Sequence, residues 1–215
     1  MTEISKRILS SFLLFLLFYL AIIIQPVLFI LLIVIFYEIF YEFYVMFSKI
    51  LKSKFKLFLT SFTILTYIFF LIYTIWLSLV INPIELKLTF LFIISICIST
   101  DIGGYIFGKI LKGKKLTKIS PNKTYSGMFG SFLLSILISF FLFKNIINFK
   151  DILFYSILIS SISQIGDLSI SYLKRKSKIK DTGKLIPGHG GILDRLDGII
   201  FAIPLILFIG GFYEL

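Results

Sequence analysis

The stretch LFLTSFTILTYIFFLIYTIWLSLVI, residues 57–81, holds no charged side chain. A helix crosses a bilayer with roughly 17–25 mostly apolar residues, so this run is long enough. It is bracketed by signals that stop it. On one side stand Lys49, Lys52, Lys54 and Lys56; on the other Asn82-Pro83 marks a turn. Outward from it lie six similar runs, at about 8–24, 26–47, 86–108, 126–143, 152–173 and 191–212. The first two are parted only by Gln25-Pro26, which makes either a tight hairpin or one long kinked helix. The expected fold is all-α: a polytopic integral membrane protein with about seven transmembrane helices.

Composition agrees. The chain has 215 residues, 58% of them hydrophobic, and a mean hydropathy of +1.03. Soluble domains are about 45–50% apolar, so lipid must be the solvent for most of this one. The run from Ile8 has no small-residue cleavage site and is expected to stay as a span. Cys97 is the sole cysteine and His189 the sole histidine. That excludes an intrachain disulfide, a thiolate metal centre and a multi-histidine zinc site.

A net charge of +11 would suggest nucleic acid in a soluble protein. Here the charges sit in short stretches between apolar runs, which points to anionic headgroups or phosphorylated substrates and not to nucleic acid. Seven spans with a cytoplasmic N-terminus put all but three of the 22 Lys and Arg inside. The exceptions are Lys87, Lys144 and Lys150, so the bias matches the positive-inside rule. No internal repeat is visible, which gives an inverted-repeat transporter no support.

The acids carry more information. Asp101 and Asp167 fall within or at the end of apolar runs, where an ionisable group is costly and by default functional. The alternative is a carboxylate that snorkels or pairs with a lysine. Ser156, Ser160, Gln164, Asp167, Ser171, Lys174 and Lys178 follow at helical steps along one face. Such a stripe borders either a wet cavity or a serine-rich packing seam. Asp101, Gly104, Gly108 and Lys112 share another face. Its glycines admit either a ligand or a neighbouring helix. The role of Glu38 and Glu42, one turn apart, stays open in the sequence, with anchoring at the inner interface as one reading.

Asp194 and Asp197 open the last run, directly after Pro187-Gly188-His189-Gly190-Gly191. A glycine turn feeding a helix start offers backbone N–H groups to phosphate oxygens. Two carboxylates beside a phosphate call for a hard cation, and Mg²⁺ suits carboxylate plus phosphate ligation best. Capping by acids in the first turn is the alternative. A near P-loop, Gly108 to Lys115, lacks the terminal Ser/Thr and the preceding strand.

Two blocks now match a family. Ser171-Tyr-Leu-Lys-Arg-Lys-Ser-Lys-Ile-Lys-Asp181, followed by Pro187-Gly-His-Gly-Gly-Ile-Leu-Asp-Arg-Leu-Asp197, resembles the signature of phosphatidate cytidylyltransferases. So do Asp101-Ile-Gly-Gly-Tyr-Ile-Phe-Gly108 and Ser120-Pro-Asn-Lys-Thr-Tyr-Ser-Gly127, with Gly104 where alanine is common. The resemblance covers roughly residues 95–200. It divides the chain into N-terminal membrane helices, 1–83, and a catalytic membrane region with cytoplasmic basic loops, 84–215.

The resemblance implies synthesis of CDP-diacylglycerol and pyrophosphate from CTP and phosphatidic acid at the cytoplasmic face of a bacterial inner membrane. It implies Mg²⁺ on Asp167 and Asp194, with room for a second cation and with Asp197 and Asp101 as further ligands. It assigns catalytic roles to Asp167, Asp194, Lys174 and His189; the histidine would either protonate pyrophosphate or orient backbone. Substrate contacts are expected from Ser120, Lys123, Thr124, Ser171, Arg175, Lys180, Gly190, Gly191 and Arg195. A homodimer is a further implication. The rivals are a CTP-dependent enzyme on another lipid, either a lipid kinase or an ether-lipid cytidylyltransferase, and a membrane transporter.

Overall fold

The computed structural model describes residues 16–17, 19–20, 23–81, 84–117, 119–183, 185 and 190–209. Most of the first expected span, the Asn82-Pro83 turn, His189 and the last residues of the seventh expected span lie outside the described residues. The described residues are mostly helical, joined by short loops, and no strand occurs among them.

Helix α1 is Gln25–Ile50. Ile24 is extended (φ −114°, ψ 100°), so the helix starts afresh at Gln25, with Pro26 in its first turn, where a missing N–H costs nothing. Its buried stripe is Leu32, Ile39, Glu42, Phe43 and Met46, at helical spacing. Helix α2, Lys54–Trp76, continues into a π-helical turn, Leu77–Ile81. There the buried Ser78 hydroxyl donates to the Thr74 carbonyl at 2.7 Å. Phe55, Phe58, Phe62 and Phe69 stand exposed along α2, as a lipid-facing surface demands.

Helices α3 (Ile84–Leu111), α4 (Tyr125–Phe143) and α5 (Phe149–Lys176) follow. These five helices are long and apolar enough to cross a membrane, α2 counted to Val80. For the seventh expected span the described residues give shorter pieces. They are α6 (Leu193–Leu196), α7 (Ile199–Ala202), a 3₁₀ turn at Ile203–Leu205 and α8 (Ile206–Ile209). Pro204 accounts for the 3₁₀ turn, since it brings no N–H for a regular helical bond.

The chain packs as two compact units. One holds Leu173–Leu196 with the described residues up to Ile72; the other holds Tyr73–Tyr172 with those from Asp197. In the second unit α3 and α4 touch through glycine. A Cβ on Gly103 would meet the Gly130 carbonyl, and one on Gly130 would strike the Phe107 ring. A Cβ on Gly104 would lie 2.9 Å from Ser131 Oγ. Of the two readings of these glycines, close helix packing is the one realised.

Hydroxyls tie the same unit together. Thr100 Oγ1 donates to Ser160 Oγ at 2.9 Å, Ser131 Oγ to the Thr100 carbonyl at 2.7 Å, and Ser139 pairs with Ser156 at 2.6 Å. All are buried, so each hydroxyl answers a group that lipid could not. The stripe on α5 is therefore a packing seam over Ser156 and Ser160.

Candidate active site

Further along the stripe, chemistry replaces packing. In the second unit the Asp167 carboxylate, half-buried on α5, forms an ion pair with Lys123. Ser171 Oγ, one turn on, reaches Asp167 Oδ1 at 3.4 Å.

Lys123 is placed by a built loop. Lys112 (φ 52°) and Gly113 (φ 111°) turn the chain out of α3. Lys123 N–H then donates to the Ser120 carbonyl at 3.1 Å, closing a turn with Pro121 second, where its fixed φ fits. Leu116 N–H bonds the Lys123 carbonyl at 2.8 Å and Tyr125 N–H the Lys114 carbonyl at 3.1 Å. Thr124 Oγ1 accepts from Gly127 N–H at 3.1 Å and so caps α4. The Ser120-Pro-Asn-Lys-Thr motif is thus a device that fixes one ammonium and starts one helix.

Asp197 joins this centre from the turn after α6. Gly166 lets that turn approach α5: a Cβ there would come within 3.0 Å of the Asp197 carbonyl. Burial, the charge of Asp167, a side-chain hydrogen bond with Asp167 and the charge of Asp101 together push the Asp197 carboxyl up to about 7. The Gly198 N–H, donating at 3.0 Å, opposes this. Asp101, Asp167 and Asp197 therefore act on one another as like charges.

The first unit holds a second lysine–aspartate pair. Lys174 Nζ lies 2.8 Å from Asp194 Oδ1. Thr182 N–H and Gly191 N–H both donate to Asp194 Oδ2, at 2.8 and 3.1 Å. Burial raises the Asp194 carboxyl, but the Lys174 and backbone hydrogen bonds and the Lys174 charge outweigh it and hold it below the usual range. Gly190 has φ +87°, a left-handed conformation costly for other residues, and a Cβ there would sit 2.9 Å from Asp194 Oδ2. Arg175, Lys180 and Arg195 are exposed. Lys180 also lines a cavity of about 370 Å³ with Val45, Lys49, Ile179, Asp181, Thr182 and Gly183. His189 lies outside the described residues.

One residue escaped the sequence reading as a part of this centre. Glu42, whose role the sequence leaves open, is 1% exposed and accepts hydrogen bonds from the segment that holds Asp194. The signal was present, since an acid inside an apolar run was the ground for choosing Asp167.

The donors suit a hard divalent cation in kind, since all are carboxylate oxygens. The like-charge strain among Asp101, Asp167 and Asp197 is what such a cation would relieve. Their present arrangement does not grip one. Among the described residues no three His, Cys, Asp or Glu side chains converge as metal ligands, and Asp167 and Asp194 each hold a lysine instead.

Residues 9–212 match the model of the cytidylyltransferase family. Among curated relatives, the phosphatidate cytidylyltransferase of Rickettsia bellii (strain RML369-C) is 42% identical over 144 residues, which is 61% of this chain and 61% of that protein. The phosphatidate cytidylyltransferase of Staphylococcus epidermidis (strain ATCC 35984 / DSM 28319 / BCRC 17069 / CCUG 31568 / BM 3577 / RP62A) is 45% identical over 111 residues, 50% of this chain and 43% of that one. That of Helicobacter pylori (strain ATCC 700392 / 26695) is 44% identical over 113 residues, 52% of this chain and 42% of that one. The chain spans about half the length of the curated relatives it matches.

Proposed function

Because the chain belongs to the cytidylyltransferase family, we propose that it transfers the cytidylyl group of CTP to phosphatidic acid, releasing pyrophosphate and leaving CDP-diacylglycerol in the bilayer. The observation that carries this reading is the pairing of motif charges. Lys123 is held on Asp167 and Lys174 on Asp194, so both ammonium groups are fixed in place before any phosphate arrives.

The reaction suits such a site. A phosphatidate phosphate oxygen attacks the α-phosphorus of CTP; one P–O bond forms there, and the bond to the β-phosphate breaks. A phosphate monoester carries about −1.5 to −2 charges at pH 7, so the nucleophile needs no strong base. The work is to bring two polyanions together and to stabilise charge on the leaving group.

Lys123 and Lys174 would hand their carboxylate bonds over to phosphate oxygens, and Ser171, beside Asp167, would orient one of them. Exposed Arg175, Lys180 and Arg195 would draw in the nucleotide. Mg²⁺, when bound, would supply neutralisation of phosphate charge, and Asp101, Asp167 and Asp197 would be the carboxylates to hold it. The basic loops would face the cytoplasm of a bacterial inner membrane, with CTP arriving from that side. Acyl chains can remain in lipid.

Purified protein in detergent, given labelled CTP, Mg²⁺ and phosphatidic acid, should release pyrophosphate in step with label entering the lipid extract. Release of CDP with phosphate transfer would make it a lipid kinase. Turnover of an ether-lipid phosphate alone would move the acceptor. No labelled lipid from any acceptor would end the reading.

A further inference from the structure

Glu42 lies on α1, far in sequence from both motif blocks, yet it holds the second of them. Its carboxylate is buried and accepts three hydrogen bonds. Thr182 Oγ1 donates to Oε2 at 2.6 Å, Leu193 N–H to Oε2 at 2.9 Å and Ile192 N–H to Oε1 at 2.9 Å. A Cβ on Gly183 or on Gly191 would strike the same carboxylate. Two stretches of the segment after α5 are thus pressed onto one side chain that is acceptor-only.

Those stretches are the ones that bind Asp194. Thr182 faces both ways: its hydroxyl goes to Glu42 and its N–H to Asp194 Oδ2. Gly191 gives its N–H to Asp194 Oδ2 while its Cα packs beside Glu42. Asp194 in turn holds Lys174. We propose that Glu42 is a positioning residue: through Thr182 and the Gly191–Leu193 backbone it fixes Asp194, and through Asp194 the Lys174 ammonium, in the geometry that turnover needs. Its kinetic consequence rests on the cytidylyltransferase reading.

Glutamine is a poor substitute here. Replacing either oxygen by NH₂ sets a donor against Ile192 N–H, or against Leu193 N–H and the Thr182 hydroxyl. A buried donor left without an acceptor is expensive, so the segment must shift. A small misplacement remote from the reacting atoms can cost on the order of 100-fold in rate.

The experiment compares wild type, Glu42→Gln, Thr182→Ser and Thr182→Val in detergent. It reads kcat and KM for CTP, the thermal midpoint, and hydrogen exchange of the peptide covering residues 190–194. Glu42→Gln should lose on the order of 10- to 100-fold in kcat with KM for CTP changed far less, and exchange at 190–194 should speed up. Thr182→Ser, which keeps the hydroxyl, should behave as wild type, and Thr182→Val should fall between. Wild-type kcat per folded Glu42→Gln molecule, with only the thermal midpoint lowered, would overturn the proposal. If Glu42→Gln does not fold, equal kcat in Thr182→Ser and Thr182→Val overturns it instead. Should the wild type make no labelled lipid, the function reading fails separately. Hydrogen exchange then decides alone, and unchanged protection in the variants overturns the positioning role.

Discussion

The two lysine–aspartate centres use the same pair of side chains in opposite electrostatic settings. Asp194 is saturated with donors: one ammonium and two backbone N–H groups hold its carboxyl below the ordinary range. Asp167 has Lys123, but it also faces Asp197, whose carboxyl burial, and then the neighbouring acids, push up to about 7. One centre is an anion already satisfied, so its geometry is fixed by the protein. The other gathers acids around a single lysine, and it is the centre at which we propose a cation would bind.

The largest effects should come from removing either carboxylate. Asp167→Asn and Asp194→Asn are nearly isosteric, and each should lose at least about 100-fold in the proposed CDP-diacylglycerol formation, the scale of losing a transition-state electrostatic contact. The comparison then separates them. Asp167→Asn leaves Lys123 without its ion-pair partner and lowers the count of acids, so Mn²⁺ binding followed by electron paramagnetic resonance should weaken. Asp194→Asn puts an NH₂ near the Lys174 ammonium or the Thr182 and Gly191 N–H groups, so hydrogen exchange of residues 182–194 should rise. A substantially active Asp167→Asn enzyme would remove that centre from the mechanism.

Next in size are the lysines. Lys123→Ala and Lys174→Ala should each raise KM for CTP or lipid by about tenfold, as one lost charge-assisted contact of roughly 1.5 kcal/mol predicts. Lys52→Ala, between α1 and α2 and outside both motifs, should leave kinetics unchanged. Equal losses at all three would reduce the lysines to membrane anchors.

Helix packing gives a stability effect with a clear cause. Gly130→Ala has no room, because the Phe107 ring occupies the place of the new methyl. Overpacking of this kind costs about 1–3 kcal/mol, read as a fall in the thermal midpoint in detergent. Gly113→Ala meets an unfavourable φ of 111° in an open loop and should cost less. An unchanged midpoint for Gly130→Ala would mean that α3 and α4 are not pressed together there.

Much of this was legible in the sequence because membrane helices advertise themselves by length and by the absence of charge. The expected spans 26–47, 57–81, 86–108, 126–143 and 152–173 each fall on one long helix. The seventh was harder, since a hydropathy run does not register the 3₁₀ turn at Pro204. Asp101, Asp167, Asp194 and Asp197 could be singled out because acids are conspicuous among apolar residues. Their pairing with Lys123 and Lys174 could not, since it depends on loop geometry around Ser120 and Thr182. The role of Glu42 stayed open for a related reason: it stands out as an acid in an apolar run, but nothing local shows that it reaches backbone N–H groups well over a hundred positions away.

The smallest predicted effect tests the division of the α5 stripe. Thr100→Val keeps the shape and removes the donor to Ser160 Oγ, which still accepts from Gln164 Nε2 at 3.2 Å. The Thr100 carbonyl keeps its bond from Ser131. Interhelical hydrogen bonds in membranes average about 0.6 kcal/mol, so the thermal midpoint should fall slightly and turnover should stay at the wild-type level. Ser160 and Asp167 share one helical face, and a cavity running the whole stripe would make both catalytic. If Thr100→Val cut turnover as deeply as Asp167→Asn does, the serines would belong to the reaction rather than to the seam. Wild-type turnover with a lowered midpoint places the boundary between packing and chemistry between Ser160 and Asp167.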